Sequence, residues 1–352
     1  LAQTTPNSSK RLILFGILFV VLTIAGLYSV YGQFAGREVR FDTRLVQPWV
    51  LLALAALLTV YYVSDALRLG YTLQALGHRL PFRKLLSLVF INLFFSNITP
   101  MATGGGFAQI WFLQREGIPI GHATAATTMR TLLAVAFIFS LTPVALIALP
   151  MFNGDWLPGN LAIALALFIA GYLGFFTVVI FRTRWLIAPL SRLLHCLHRW
   201  HLLSDQRHQR WQYKARREML RFAQAFGEYW SGSHRAVFLS VFFTAVFLLS
   251  LFSFPALLLL ALDYSVNYLT TLALLLITTF IMYFSPTPGA SGISEGVFGH
   301  FFRNLVSGPH LLLVTLAWRL LTIYLGMLIG LIIFRRTLAR ELLTERPKGN
   351  VP

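Results

Sequence analysis

Two short patterns concentrate the residues able to do chemistry. Thr99-Pro100-Met101-Ala102-Thr103-Gly104 recurs 188 residues later as Thr287-Pro288-Gly289-Ala290-Ser291-Gly292. Proline removes a backbone donor and glycine weakens a helix, so each pattern interrupts the helix that carries it. A helix restarted after a break presents unpaired N–H groups at its new N-terminus, and its dipole favours an anion there. Gly104, Gly105 and Gly292 let such a group approach closely. Thr103 and Ser291 add hydroxyl donors at matching positions. Arg130 and Arg319 each follow a pattern at nearly the same spacing, inside an apolar run. A planar guanidinium suits a phosphate; the alternatives are snorkelling or a bond to a backbone carbonyl that holds the fold. Glu295 lies only in the second copy, within SGISEG. It could pair with Arg319 or Arg130, take a proton, or meet a cationic headgroup. The first copy offers Gln109 and no acid there. These nine residues form the candidate binding set, and no cofactor or metal is called for. Cys196 is the only cysteine, so no intrachain disulfide and no cysteine-based metal site is implied.

The elements that must position these residues are membrane helices. Of the 352 residues, 57% are hydrophobic and 12% charged, against roughly 25% charged in soluble domains. A bilayer core of ~30 Å takes about 20 helical residues. Runs of that length predict spans at about 11–31, 46–69, 122–150, 160–181, 236–262 and 309–334. The run from Leu12 is too long for a signal-peptide core and is kept as a span. The two patterns sit in hairpins at 84–115 and 267–306. The first is flanked by Lys84 and Arg115, so both its ends favour one side of the membrane. The fold expected is an all-α polytopic membrane protein of about six transmembrane helices plus two re-entrant hairpins, a single membrane domain over 1–352. Its first repeat covers 46–181 and its second 236–336. Breaks are expected at Asn97–Pro100, again at Gly104–Gly106, and in the second copy. The GxxxG at Gly326 and Gly330 reads as helix packing. Asp65 and Arg68 stand one turn apart and read as a local ion pair.

Between the repeats, residues 182–235 form a basic amphipathic region, cytoplasmic by its arginines and resting on anionic lipid. The net charge of +17 has that explanation rather than nucleic acid, for which no reading motif is present. Counting sides puts both termini in the cytoplasm of a cytoplasmic (inner) membrane protein and orients the two hairpins oppositely. Inverted repeats with broken helices are a transporter pattern. Arg37, Arg40 and Arg44 in the first external loop go against the count.

Residues 96–133, SNITPMATGGGFAQIWFLQREGIPIGHATAATTMRTLL, and 286–298, PTPGASGISEGVF, resemble the lysylphosphatidylglycerol synthase transmembrane-region family. This is the flippase portion of multiple peptide resistance factor and its stand-alone relatives. The resemblance implies a lipid flippase or transporter with two re-entrant hairpins lining a headgroup cavity. Many relatives carry an acid after the first hairpin's glycines, where this chain reads Gly-Gly-Gly-Phe-Ala-Gln. Two-domain members add a soluble synthase; only 16 residues follow Arg336, so aminoacylation is not expected. The lipid carried, whether phosphatidylglycerol-like, aminoacylated, glycolipid or isoprenoid-linked, stays open, as does oligomeric state. Two rival readings remain. Gly289-Ala290-Ser291-Gly292 matches the G-x-S-G of rhomboid proteases, which would need a base such as His300 or His310, the latter expected in a loop. The other is a non-transporting scaffold that works through the basic region.

Overall fold

The computed structural model describes residues 42–149 and 224–344, with isolated helical positions at 17, 21, 24, 167, 170, 171, 174, 217 and 220. The spans expected at 11–31 and 160–181, and most of the basic region, lie outside the described residues. Within them every regular element is helical. These are α1 Pro48–Ala75, α2 Phe82–Ile98, α3 Thr103–Arg115, α4 Ile120–Ala148, α5 at 224–231, α6 His234–Ala261, α7 Tyr268–Met282, α8 Ile293–Phe302, α9 Gly308–Arg319 and α10 Leu325–Thr344. A π-turn at Leu320–Tyr324 joins the last two into one run. Four helices are long and apolar enough to cross a membrane: α1, α4, α6 and the joined stretch Gly308–Thr337. At ~1.5 Å per residue a helix of 28 residues reaches about 42 Å, longer than the hydrocarbon core. The protein is an all-α polytopic membrane protein, and four of the expected spans appear where hydropathy put them.

The described chain divides into two units. One holds residues 42–66, 81–109 and 246–344; the other holds 67–80, 110–149 and 224–245. In the first unit α10 lies along α2. The GxxxG makes this possible: a Cβ at Gly330 would collide with the Phe90 carbonyl, and one at Gly326 would come within 2.7 Å of Leu93 Cδ1. Small residues that let backbones meet are the usual solution where lipid removes the hydrophobic drive between helices. Tyr61 stacks on Phe247 at 5.0 Å between ring centroids, and Tyr62 packs on Phe90 at 4.8 Å. In the second unit Tyr71 stacks on Phe243. Tyr229 bonds the Ser240 hydroxyl at 2.6 Å, joining α5 to α6.

Element order recurs across the chain: a long helix, a short apolar helix, a break, a second short helix, then a long helix. The two breaks share a backbone. Thr99 and Thr287 are extended, each proline starts one 3-10 turn, and the next two residues are left-handed. Met101 and Ala102 have φ of 52° and 53°; Gly289 and Ala290 have 57° and 54°. Three of these four are not glycine, and each L-residue there costs roughly 1 kcal/mol. Hydroxyls satisfy the unwound backbone, as lipid cannot. Thr103 donates to the Pro100 carbonyl at 3.1 Å, and Thr287 to that of Ser291 at 2.9 Å.

One expected break is absent. Gly104, Gly105 and Gly106 lie inside α3 rather than interrupting it. Their smallness serves the contact between hairpin arms. A Cβ at Gly104 would sit 2.9 Å from the Phe95 carbonyl oxygen, and one at Gly105 2.8 Å from that of Asn92. Such close approach outweighs the glycine penalty within the helix.

Candidate functional site

The two breaks lie against each other within the first unit, and the second also touches α2. The second break carries a sealed charge network. Glu295 is the third residue of α8 and is fully buried, as is Arg319 at the end of α9. Arg319 Nε stands 2.8 Å from Glu295 Oε1. This is a close charge contact, not an aligned hydrogen bond. The other carboxylate oxygen accepts from the Gly292 N–H and from the Ser294 hydroxyl, both at 2.8 Å. Arg319 also donates from both terminal nitrogens to the carbonyl of left-handed Gly289, at 3.1 Å each, and to Ser291 Oγ at 3.3 Å.

Each part has a local cause. Gly292 has φ of 84° and precedes α8 as its N-cap. Glu295 then sits at the position from which a carboxylate reaches back to the N-cap N–H, half of a capping box. Glycine has no side chain to supply the other half. The carboxylate thus occupies the place that helix dipole and orphan N–H groups offer to an anion. Arg319 balances its charge, which a dry interior requires. Of the pairings open to Glu295, the structure has the one with Arg319.

The remaining candidates distribute differently. Ser291 and Gly292 belong to this network. In the first copy the Gly104 N–H donates to Thr99 Oγ1 at 2.8 Å, so a neutral hydroxyl holds the place that Glu295 fills in the second. Thr103 is exposed. Gln109 is buried and donates to the Leu88 carbonyl at 3.3 Å, tying α3 to α2. Gly105 is a packing residue. Arg130 is buried in α4, within the second unit. Sequence reasoning missed the Gly289 carbonyl, Ser294 and Thr99. The spacing from Gly292 to Glu295 was a usable signal for the cap; nothing local marks the carbonyl.

His310 is in the first turn of α9, not in a loop. Its Nδ1 lies 2.9 Å from Tyr264 OH, and its Nε2 3.3 Å from Asp42 Oδ2. Arg44 bonds Asp42, Asp263 and the Leu262 carbonyl. Its side-chain and backbone hydrogen bonds hold the Asp42 carboxyl down at about 2. The arginine that went against the charge count is therefore matched in place by two carboxylates.

In the second unit, three groups form a chain. His78 Nε2 is 2.7 Å from His122 Nδ1, and His122 Nε2 is 2.7 Å from Glu228 Oε2. It joins the turn after α1, the start of α4 and α5. A cleft of about 400 Å³ opens beside it, lined by Ile120, His122, Gln224 and Glu228 among others. Burial, then the neighbouring His122, lowers the His78 pKa, against the opposing pull of Glu228. Among the described residues no cluster of His, Cys, Asp and Glu has the arrangement of a metal site.

Comparison with known proteins agrees with this architecture. The chain is similar to a UPF0104 membrane protein of Archaeoglobus fulgidus, 26% identical over 315 residues, covering 89% of this chain and 94% of that protein. The family model described as "Lysylphosphatidylglycerol synthase TM region" matches residues 13–330, which include both breaks, Glu295 and both arginines. With that extent of match, this chain belongs to the lysylphosphatidylglycerol synthase transmembrane-region family, a membrane domain linked to lipid handling.

Proposed function

We propose that the chain is a lipid transporter that moves an anionic or aminoacylated phospholipid, or a lipid with a comparable phosphate headgroup, across the membrane. The observation that carries this reading is a carboxylate held at a helix N-terminus by a backbone N–H, a hydroxyl and a buried arginine, at the break of a membrane hairpin. Those donors are the ones a phosphate diester would use. Glu295 is then a resident anion, and the headgroup takes its place on Arg319 and Gly292. Acyl chains remain in the bilayer while the headgroup passes between the two breaks. Removing Arg319 from Glu295 leaves a buried carboxylate uncompensated, so the exchange needs a counterpart. A headgroup ammonium supplies one, and a proton on Glu295 supplies another. Opposite orientation of the hairpins would let one half rock against the other and open the site to each side in turn.

Purified protein in proteoliposomes, with a fluorescent phospholipid and a membrane-impermeant quencher, tests this. Arg319→Lys and Arg130→Ala should each slow lipid transfer about tenfold or more, the loss of one charge-assisted contact. Glu295→Gln, which leaves no resident anion to displace the bound headgroup from Arg319, should slow transfer at the release step by a comparable factor. Wild-type rates in all three, at matched folding, would remove the site from the transport path.

The hydrolase reading has less support. Ser291 Oγ accepts from Arg319, and His310 directs its two nitrogens to Tyr264 and Asp42. A nucleophilic serine needs a base within hydrogen-bond reach. The non-enzymatic reading therefore stays with the transport proposal, tested by unchanged lipid composition on incubation with the protein.

A further inference from the structure

We infer that Tyr62 is a positioning residue for Arg319, acting through the π-turn that follows it. The inference rests on the reading of Arg319 as the headgroup contact.

Arg319 ends α9, and the backbone widens at once into the π-turn Leu320–Tyr324. In an α-helix the Leu325 N–H would bond the Leu321 carbonyl, four residues back. Here it bonds Leu320, five back. The Leu321 carbonyl thus loses its helical donor inside an apolar segment. Tyr62 OH, from α1, donates to that carbonyl at 3.3 Å. Tyr62 is itself buried, with its ring held against Tyr61 and Phe90. A third helix therefore supplies the hydrogen bond that the widened turn gives up.

The extra residue has a geometric purpose. Each residue turns an α-helix by ~100°. Below the turn, Gly326 and Gly330 must face α2, with Phe90 and Leu93 in contact range. Above it, Arg319 must face Glu295 and Gly289. A continuous α-helix joining the two stretches would turn one of these faces by ~100° away from its partner. The π-turn lets both be met, and Tyr62 holds the π-turn.

The test combines Tyr62→Phe, which keeps the ring packing, with deletion of Leu320, an exposed residue whose loss converts the π-turn to α-helix. In the natural background Tyr62→Phe should lower Tm by about 2 °C, the scale of one hydrogen bond. In the deletion background the Leu321 carbonyl regains Leu325, and Tyr62→Phe should change nothing. An equal fall in both backgrounds overturns the inference. Should the deletion variant fail to fold, amide exchange decides: Leu325 should exchange at least ~5-fold faster in Tyr62→Phe, and unchanged exchange overturns the coupling.

In proteoliposomes Tyr62→Phe should raise the half-saturating lipid fraction roughly fivefold and preserve the maximal rate, since a misaimed arginine weakens headgroup binding. A fall in maximal rate alone means lost folded protein and overturns the positioning role. If the stability coupling holds while Tyr62→Phe and Arg319→Lys both leave transfer untouched, the coupling stands and the transport reading fails.

Discussion

At the scale of single residues, the Glu295–Arg319 pair decides most. Both groups are withdrawn from water, so neither can lose its partner cheaply. Arg319→Ala strands a carboxylate among buried groups, at a cost of about 3–5 kcal/mol. Replacing both partners, as Glu295→Gln with Arg319→Met, removes the charge as well as its balance and should recover most of that loss. Thermal unfolding in detergent checks the order: the double variant should lie above the single one. Equal or lower stability would show that the hydrogen bonds to Gly289 and Gly292 matter more than charge balance. His78 gives a second residue-scale prediction. Its folded pKa lies below the usual 6.5, so the folded state favours the neutral ring. The stability this adds is full above pH ~6.5 and is lost as pH falls through the lowered value. The geometry agrees, because two protonated imidazoles cannot share the 2.7 Å bond to His122. Tm should therefore drop between pH 7.5 and 5.5 in the natural protein, and His78→Phe should flatten that slope. An unaltered slope would assign the acid sensitivity to other groups.

At the scale of elements, the two breaks use one backbone but different residues. Left-handed geometry falls on Met101 in the first and on Gly289 in the second. Met101 is exposed and buries little, so Met101→Gly should relieve strain at almost no packing cost. An increase in stability of about 0.5–1 kcal/mol is expected from the L-residue penalty less the chain entropy of glycine, read as a rise in Tm. A fall would mean that the methionine side chain holds the break. The same pair of breaks shows what was legible in the sequence. Recurrence of T-P-x-A located both kinks, and hydropathy located α1, α4, α6 and the final span. The Gly104–Gly106 run was misread, because a glycine that eases helix contact looks in sequence like one that ends a helix. Only the neighbouring Asn92 and Phe95 carbonyls distinguish the two. The π-turn left no local trace, since its cause is the pair of faces at Arg319 and Gly330 that a single helix must satisfy. The His78–His122–Glu228 chain was equally hidden, its members being far apart in sequence.

At the scale of the whole molecule, the proposal depends on the halves being inverted. Element order and shared kinks fit a duplicated unit, but a parallel duplication would show both as well. Charge favours inversion. Lys84 and Arg115 bracket the first hairpin, whereas the second opens at Asn267 with no Lys or Arg beside it and closes at a single one, Arg303. On the positive-inside bias we propose that the first hairpin's ends lie in the cytoplasm and the second's outside. Position 196 is the only native cysteine, so a Cys196→Ala background is silent to thiol reagents. Glu116→Cys and Asn304→Cys place exposed thiols after the first and second hairpins respectively. In sealed cells a membrane-impermeant maleimide should label Asn304→Cys and spare Glu116→Cys; inverted vesicles should give the opposite. Labelling of both from the same side would make the repeats parallel. A site between parallel hairpins has no symmetry-related state in which to face the other leaflet, so alternating access by exchange of the two halves would fail with it. The asymmetry of the second break would then have to supply direction alone, through the single carboxylate at Glu295.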